Sequence, residues 1–253
     1  MLHLSSLAWL LAVTGSLLIG LSKTGIAGIG ILGIVVFAFA FPARESVGIV
    51  LPILICCDIV AVTSYRRHVV WSHLLKLFPW AGAGTLLGFL ALHRVNDMQV
   101  AHIIGGLSIV LVAIHVWRSI IVARDPEADD HVPHTRWFAA VMGIIAGFAT
   151  MMANGGGPIM LLYLLATGLP KMEFMGTGAV FFFIVNCFKV PFSASLGLIN
   201  LKSLPIDAVF APIAIAGAVG GRFLLPRIKQ SVFENAALVL TVVAGIDLLL
   251  KKH

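Results

Sequence analysis

The chain has 253 residues, of which 60% are hydrophobic and 11% charged, against roughly 25% charged in an ordinary soluble domain. A mean hydropathy of +1.05 leaves too little polar surface to cover one soluble core, which excludes a soluble enzyme, a disordered chain and a secreted disulfide scaffold. The net charge of +6 is carried by basic residues scattered singly between apolar runs, so it reads as membrane topology, with no nucleic-acid stripe.

Apolar runs fall at 5–21, 27–41, 46–64, 73–92, 99–121, 137–152, 157–169, 174–196, 204–224 and 232–250. Spanning the hydrocarbon takes about 20 apolar residues, and the runs 27–41 and 157–169 are shorter, each following a glycine-rich break. The first run has no Lys or Arg before it and no small-x-small cleavage pattern, so it reads as a helix and not a signal peptide. The one long polar stretch, Arg124–Arg136, divides the chain into an N-terminal transmembrane repeat (1–123), a linker (124–136) and a C-terminal transmembrane repeat (137–253). The expected fold is an all-α polytopic membrane protein.

The two halves match in order. Gly28 and Gly30 align with Gly155 and Gly157; Pro42, Glu45 and Gly48 with Pro170, Glu173 and Gly176; and Asp58 with Asn186. Pro79, Gly84, Gly88 and Arg94 then align with Pro212, Gly217, Gly221 and Arg227. About five helical segments per half is an odd number, and three remain if each broken pair is a re-entrant hairpin. Odd repeats joined by one loop lie inverted, with a substrate site expected near the midplane. Arg66, Arg67, Lys76, Arg118, Arg124, Arg136, Lys171, Arg227 and Lys229 collect on one side. The positive-inside tendency makes that side and the linker cytoplasmic, and both termini extracytoplasmic.

The first break, Gly20 to Gly30, carries Ser22, Lys23 and Thr24 ahead of Gly28. A short helix starting near Ala27 would aim free N–H groups and its positive dipole end at these residues, as an anion site requires. A glycine-rich surface turn with Lys23 among headgroups is the other reading of the same residues. The second break, Thr150 to Pro158, holds Asn154, Gly155 and Gly156. There Asn154 is either a ligand-facing amide or a plain helix cap. Lys189 and Asp58 lie deep in apolar runs, and charges at such depth face partners or a wet cavity. They are read as a transport-path cation and a coupling residue, or else as a structural pair joining the halves. Asn186, three positions before Lys189, shares its helix face.

Arg222 and Asp247 lie near helix ends and are expected to snorkel. The histidines, His131 and His134 among them, have no metal spacing, and Cys56, Cys57 and Cys187 read as small packing residues. No Walker A, Gly-x-Ser-x-Gly or His-Glu-x-x-His motif occurs, so no cofactor and no enzyme is read.

The runs Gly20–Gly33 and Ala153–Pro158, and the stretch Leu169–Ile199 with Gly176-Thr177-Gly178, Asn186 and Phe188-Lys189-Val190-Pro191, resemble the TauE/SafE sulfite exporter family, also called the 4-toluene sulfonate uptake permease family. The resemblance implies a bacterial inner-membrane permease for small sulfur-containing or organic anions such as sulfite or sulfonates. Its substrate-facing positions would be Ser22, Lys23, Thr24, Gly28, Asn154, Gly155, Gly156, Asn186 and Lys189. The motif Gly28-Ile29-Gly30-Ile31 is less glycine-dense than the family's usual run. The expected partners are a small anion and the lipid bilayer, with proton or ion coupling through Asp58 and homo-oligomer formation both left open. An anion channel on the same scaffold is the alternative function, and a membrane-embedded enzyme using the cysteines or loop histidines is a further one.

Overall fold

A computed structural model describes residues 5–24, 29–124, 136–167, 169–201 and 203–224, with a few positions between 239 and 250. The expected run 232–250, Gly28, Asp247 and the loop histidines His131 and His134 lie outside the described residues in whole or in large part. Everything regular among the described residues is helical: α1 (Ser6–Thr24), α2 (Gly30–Ala40), α3 (Ala43–Tyr65), α4 (Trp71–Arg94), α5 (Asp97–Arg124), α6 (Arg136–Ala153), α7 (Gly157–Ala166), α8 (Lys171–Ser195) and α9 (Leu204–Leu224). A single 3-10 turn, Arg66–His68, links α3 to α4. Among the described residues, six helices, α1, α3, α4, α6, α8 and α9, contain stretches long and apolar enough to cross a membrane. The chain is a multi-pass membrane protein.

Local chemistry sets the helix ends. Phe41 precedes Pro42, and the proline ring forces it to extended backbone at φ −132° and ψ 160°, which stops α2. Pro42 and Pro170 then stand immediately before the first helical residues of α3 and α8. At 1.5 Å per residue, α2 and α7 rise only about 16 and 15 Å, half of a hydrocarbon core of about 30 Å. Their short apolar runs are therefore half-span helices.

Helix pairs close up where glycines remove side chains. α1 packs most extensively on α9, and α4 on α6. A Cβ at Gly84 or Gly147 would overlap the carbonyls of Ile144 and Ala81 across the α4–α6 seam. Gly217 and Gly20 stand in the same relation to Leu17 and Ala214 across the α1–α9 seam. Without a hydrophobic drive between helices in lipid, such backbone approach is the main source of cohesion. The two seams exchange partners between the halves: each half's first helix packs on the fourth helix of the other. Gly48 against Leu198 and Gly176 against Tyr65 and His68 repeat the exchange for α3 and α8.

Candidate functional site

A cavity of about 110 Å³ opens between the halves. Its walls come from α1, α2 and α3 and from α6, α7 and α8, the corresponding elements of the two halves. Ser22, Lys23, Asp58, Thr150, Asn154 and Asn186 form its polar end, while Ile31, Ile34, Leu54, Met160, Leu164 and Phe182 line the remainder.

Lys23 sits in the last turn of α1, where the helix dipole favours a cation. Ser22 to Thr24 are thus helical, contrary to their expected place in an open break, because the apolar run continues unbroken through Gly20. The Lys23 ammonium is 2.7 Å from Asp58 Oδ1 and 4.4 Å from the centroid of the Phe182 ring. Its side chain keeps 13% of its surface exposed, whereas Asp58 has none. Asn186 Nδ2 donates to the other carboxylate oxygen, Asp58 Oδ2, at 2.7 Å. Asp58 and Asn186 are the two residues that the repeat alignment places opposite each other, and they meet directly.

Lys189 is fully buried behind this pair and is not among the residues lining the cavity. Its ammonium donates to Thr150 O at 2.7 Å, Asn154 Oδ1 at 2.6 Å and Thr150 Oγ1 at 3.2 Å, with Asn186 Oδ1 at 3.5 Å. Three acceptors match the three N–H groups of an ammonium. One of them, the Thr150 carbonyl, is an end carbonyl of α6, so Lys189 caps that helix and complements its dipole. The direct Asp58–Lys189 pair considered from the sequence is not formed; the Asn186 amide stands between the two charges.

Asn154 ends α6 in the left-handed region, at φ 51°, which asparagine tolerates better than other non-glycine residues. Its backbone N–H returns to Thr150 O at 3.0 Å, and its side-chain amide donates to Val47 O on α3 at 3.0 Å. Asn154 therefore holds the chain reversal, caps Lys189 and lines the cavity together. Gly155 donates its N–H to Ala149 O at 3.1 Å, and neither it nor Gly156 is among the lining residues.

Ser22 lines the cavity with its hydroxyl turned to Ile19 O at 2.7 Å. Thr24 does not; its hydroxyl donates to Ala218 O on α9 at 2.7 Å, and its carbonyl accepts from Tyr65 Oη at 3.0 Å. Arg222 is exposed near the end of α9. No group of three or more His, Cys, Asp or Glu side chains that could hold a metal ion occurs among the described residues.

Phe182 and Gly157 are among the lining residues that the sequence does not single out. Phe182 is one of three consecutive phenylalanines in an apolar run, and nothing in that run says which ring meets a cation. Gly157 belongs to the glycine cluster, yet it differs from its neighbours only in three dimensions. A Cβ on Gly156 would press on Ala146 O and Thr150 Cβ, each at 3.1 Å, while a Cβ on Gly157 meets nothing within 4 Å. Gly157→Val should accordingly leave the fold intact and fill the cavity. Its melting temperature in detergent should match the wild type, while anion affinity drops about tenfold or more, the equivalent of ~1.4 kcal/mol. Unchanged affinity would place the anion elsewhere.

The family model described as Sulfite exporter TauE/SafE matches residues 11–248. No curated protein and no solved structure matches the chain. The expectation carried by the glycine motifs therefore holds over nearly the whole length, and the chain belongs to the TauE/SafE sulfite exporter family, a family of membrane transporters.

Proposed function

We propose that the protein is a secondary carrier that moves a small sulfur-containing or organic anion, such as sulfite or a sulfonate, by alternating access. The observation that carries this reading is the Lys23 ammonium, partly exposed at the polar end of the cavity between the halves. In such a site the ammonium, the Thr150 hydroxyl and the start of α7 at Gly157 replace the water around the anion's oxygens. The exchanged seams α1–α9 and α4–α6 support two repeats related by a pseudo-twofold axis, since reciprocal contacts are what such an axis generates, and the odd number of segments per half makes them inverted in this reading. Rocking the two sets of helices about the cavity would expose it to either side. Asp58 is the coupling residue of this reading, because its pairing with Lys23 must respond when an anion arrives.

Proteoliposomes test the reading. A carrier gives saturable sulfite or ethanesulfonate uptake and counterflow against an internal load of the same anion. Conductance without saturation or counterflow would identify a channel instead. The same proposal places the protein in a bacterial inner membrane with both termini extracytoplasmic and the 124–136 linker inside. A reporter active only in the cytoplasm, fused after Lys252, should stay silent. A strong signal would reverse the orientation.

A further inference from the structure

We propose that Asp58 fixes the net charge of the cargo at minus one, so that a singly charged anion enters alone and a doubly charged one enters only with a proton. The inference rests on the cavity being an anion site, and it concerns what that site selects. Three charged groups share one chain of contacts: Lys23 meets Asp58, Asp58 meets Asn186, and Asn186 stands beside Lys189. Two ammonium groups against one carboxylate leave a single positive excess. Lys189 is surrounded by neutral acceptors only, and Lys23 is the charged group of the trio with surface open to the cavity.

A monoanion beside Lys23 brings this network to neutrality. A dianion overshoots by one charge beside the fully buried Asp58 and Lys189, where an uncompensated charge is strongly disfavoured. Asp58 is the lining carboxylate that could take the balancing proton. The other groups around it do not change the count. Cys56 and Cys57 share its helix, and Cys187 lies on α8 beside Asn186. Asp207 on α9 does not line the cavity. α2 has no titratable residue; on α5, Asp97 accepts the Arg44 amide at the start of α3 and His102 does not line the cavity. Arg66, Arg67 and His68 lie in the turn beyond the other end of α3.

Ethanesulfonate and ethylphosphonate test the rule, because they share one shape. The first keeps a single charge at every working pH, and the second gains another as pH rises through neutrality. Calorimetry of the purified full-length protein, in buffers of differing ionisation enthalpy, reads both affinity and protons exchanged. The expected result is pH-independent ethanesulfonate binding with no proton uptake. Ethylphosphonate at high pH should bind roughly tenfold or more weakly than its monoanion, with one proton taken up per molecule bound. In Asp58→Asn the excess becomes two, so the doubly charged form should bind better and without a proton. Equal affinity of wild type for both charge forms, without proton uptake, overturns the rule even if Asp58→Asn does not fold. A folded Asp58→Asn that still prefers the monoanion removes Asp58 from it. Binding of neither anion would instead overturn the underlying reading of an anion site.

Discussion

Replacing Lys189 with Met is expected to cost the protein its fold, by about 3 kcal/mol or more. The ammonium is fully buried and satisfies the Thr150 carbonyl, the Thr150 hydroxyl and the Asn154 amide oxygen at once. A thioether donates to none of them; the Thr150 carbonyl keeps the Asn154 N–H, but the Thr150 hydroxyl and the Asn154 amide oxygen lose their donor, each at a desolvation cost of roughly 1–3 kcal/mol. Asn154 would lose the bond that helps hold it at φ 51°, and with it the reversal between α6 and α7. Asp58, linked to Lys189 through the Asn186 amide, would lose half of its positive surroundings. Lys189→Arg should rescue poorly, since a planar guanidinium does not reproduce three donors radiating from one nitrogen. Thermal unfolding and size-exclusion profiles in detergent read the result. A Lys189→Met protein that elutes and melts like wild type would remove the structural role given to this side chain.

Lys23→Gln should show the opposite division, with a large loss of binding and a smaller loss of stability. The Lys23 ammonium is the cation exposed to the cavity, and removing it takes the positive excess of the network to zero. Glutamine can still donate an amide hydrogen to Asp58, so that carboxylate keeps a partner although not a countercharge. Anion affinity is expected to fall about a hundredfold, equivalent to ~2.8 kcal/mol, as measured by calorimetry with ethanesulfonate. Full affinity in Lys23→Gln would return this residue to the surface-turn reading.

Apolar length and proline placement made most of the fold legible. The run 204–224 coincides with α9 at both ends, and the brevity of 27–41 and 157–169 foretold α2 and α7. The matched glycines Gly84 and Gly217 fall at the two seams, as glycines that admit a close neighbour do, but which helices meet there was not legible in the matches. Asn186 and Lys189 were placed on one face by a spacing of three, and they do lie within 3.5 Å. What the sequence left open is which charge pairs with which. Asp58 meets Lys23 and not Lys189 because of the crossing of α3 with α1 and α8, and crossing geometry is a property of packing, not of periodicity. The end of α1 was misjudged for a local reason: Gly20 looks like a breaker, but it is helical and faces the Ala214 carbonyl on α9.

The location of the anion itself is the central claim, and 2-bromoethanesulfonate tests it directly. Its bromine marks the molecule by anomalous scattering in crystals of the wild-type protein. The sulfonate is expected within hydrogen-bonding distance of Lys23 Nζ, at the polar end with Asp58 and Asn186, and the bromine toward Met160 and Leu164. Bromine density outside this cavity, with the cavity unoccupied, would contradict it.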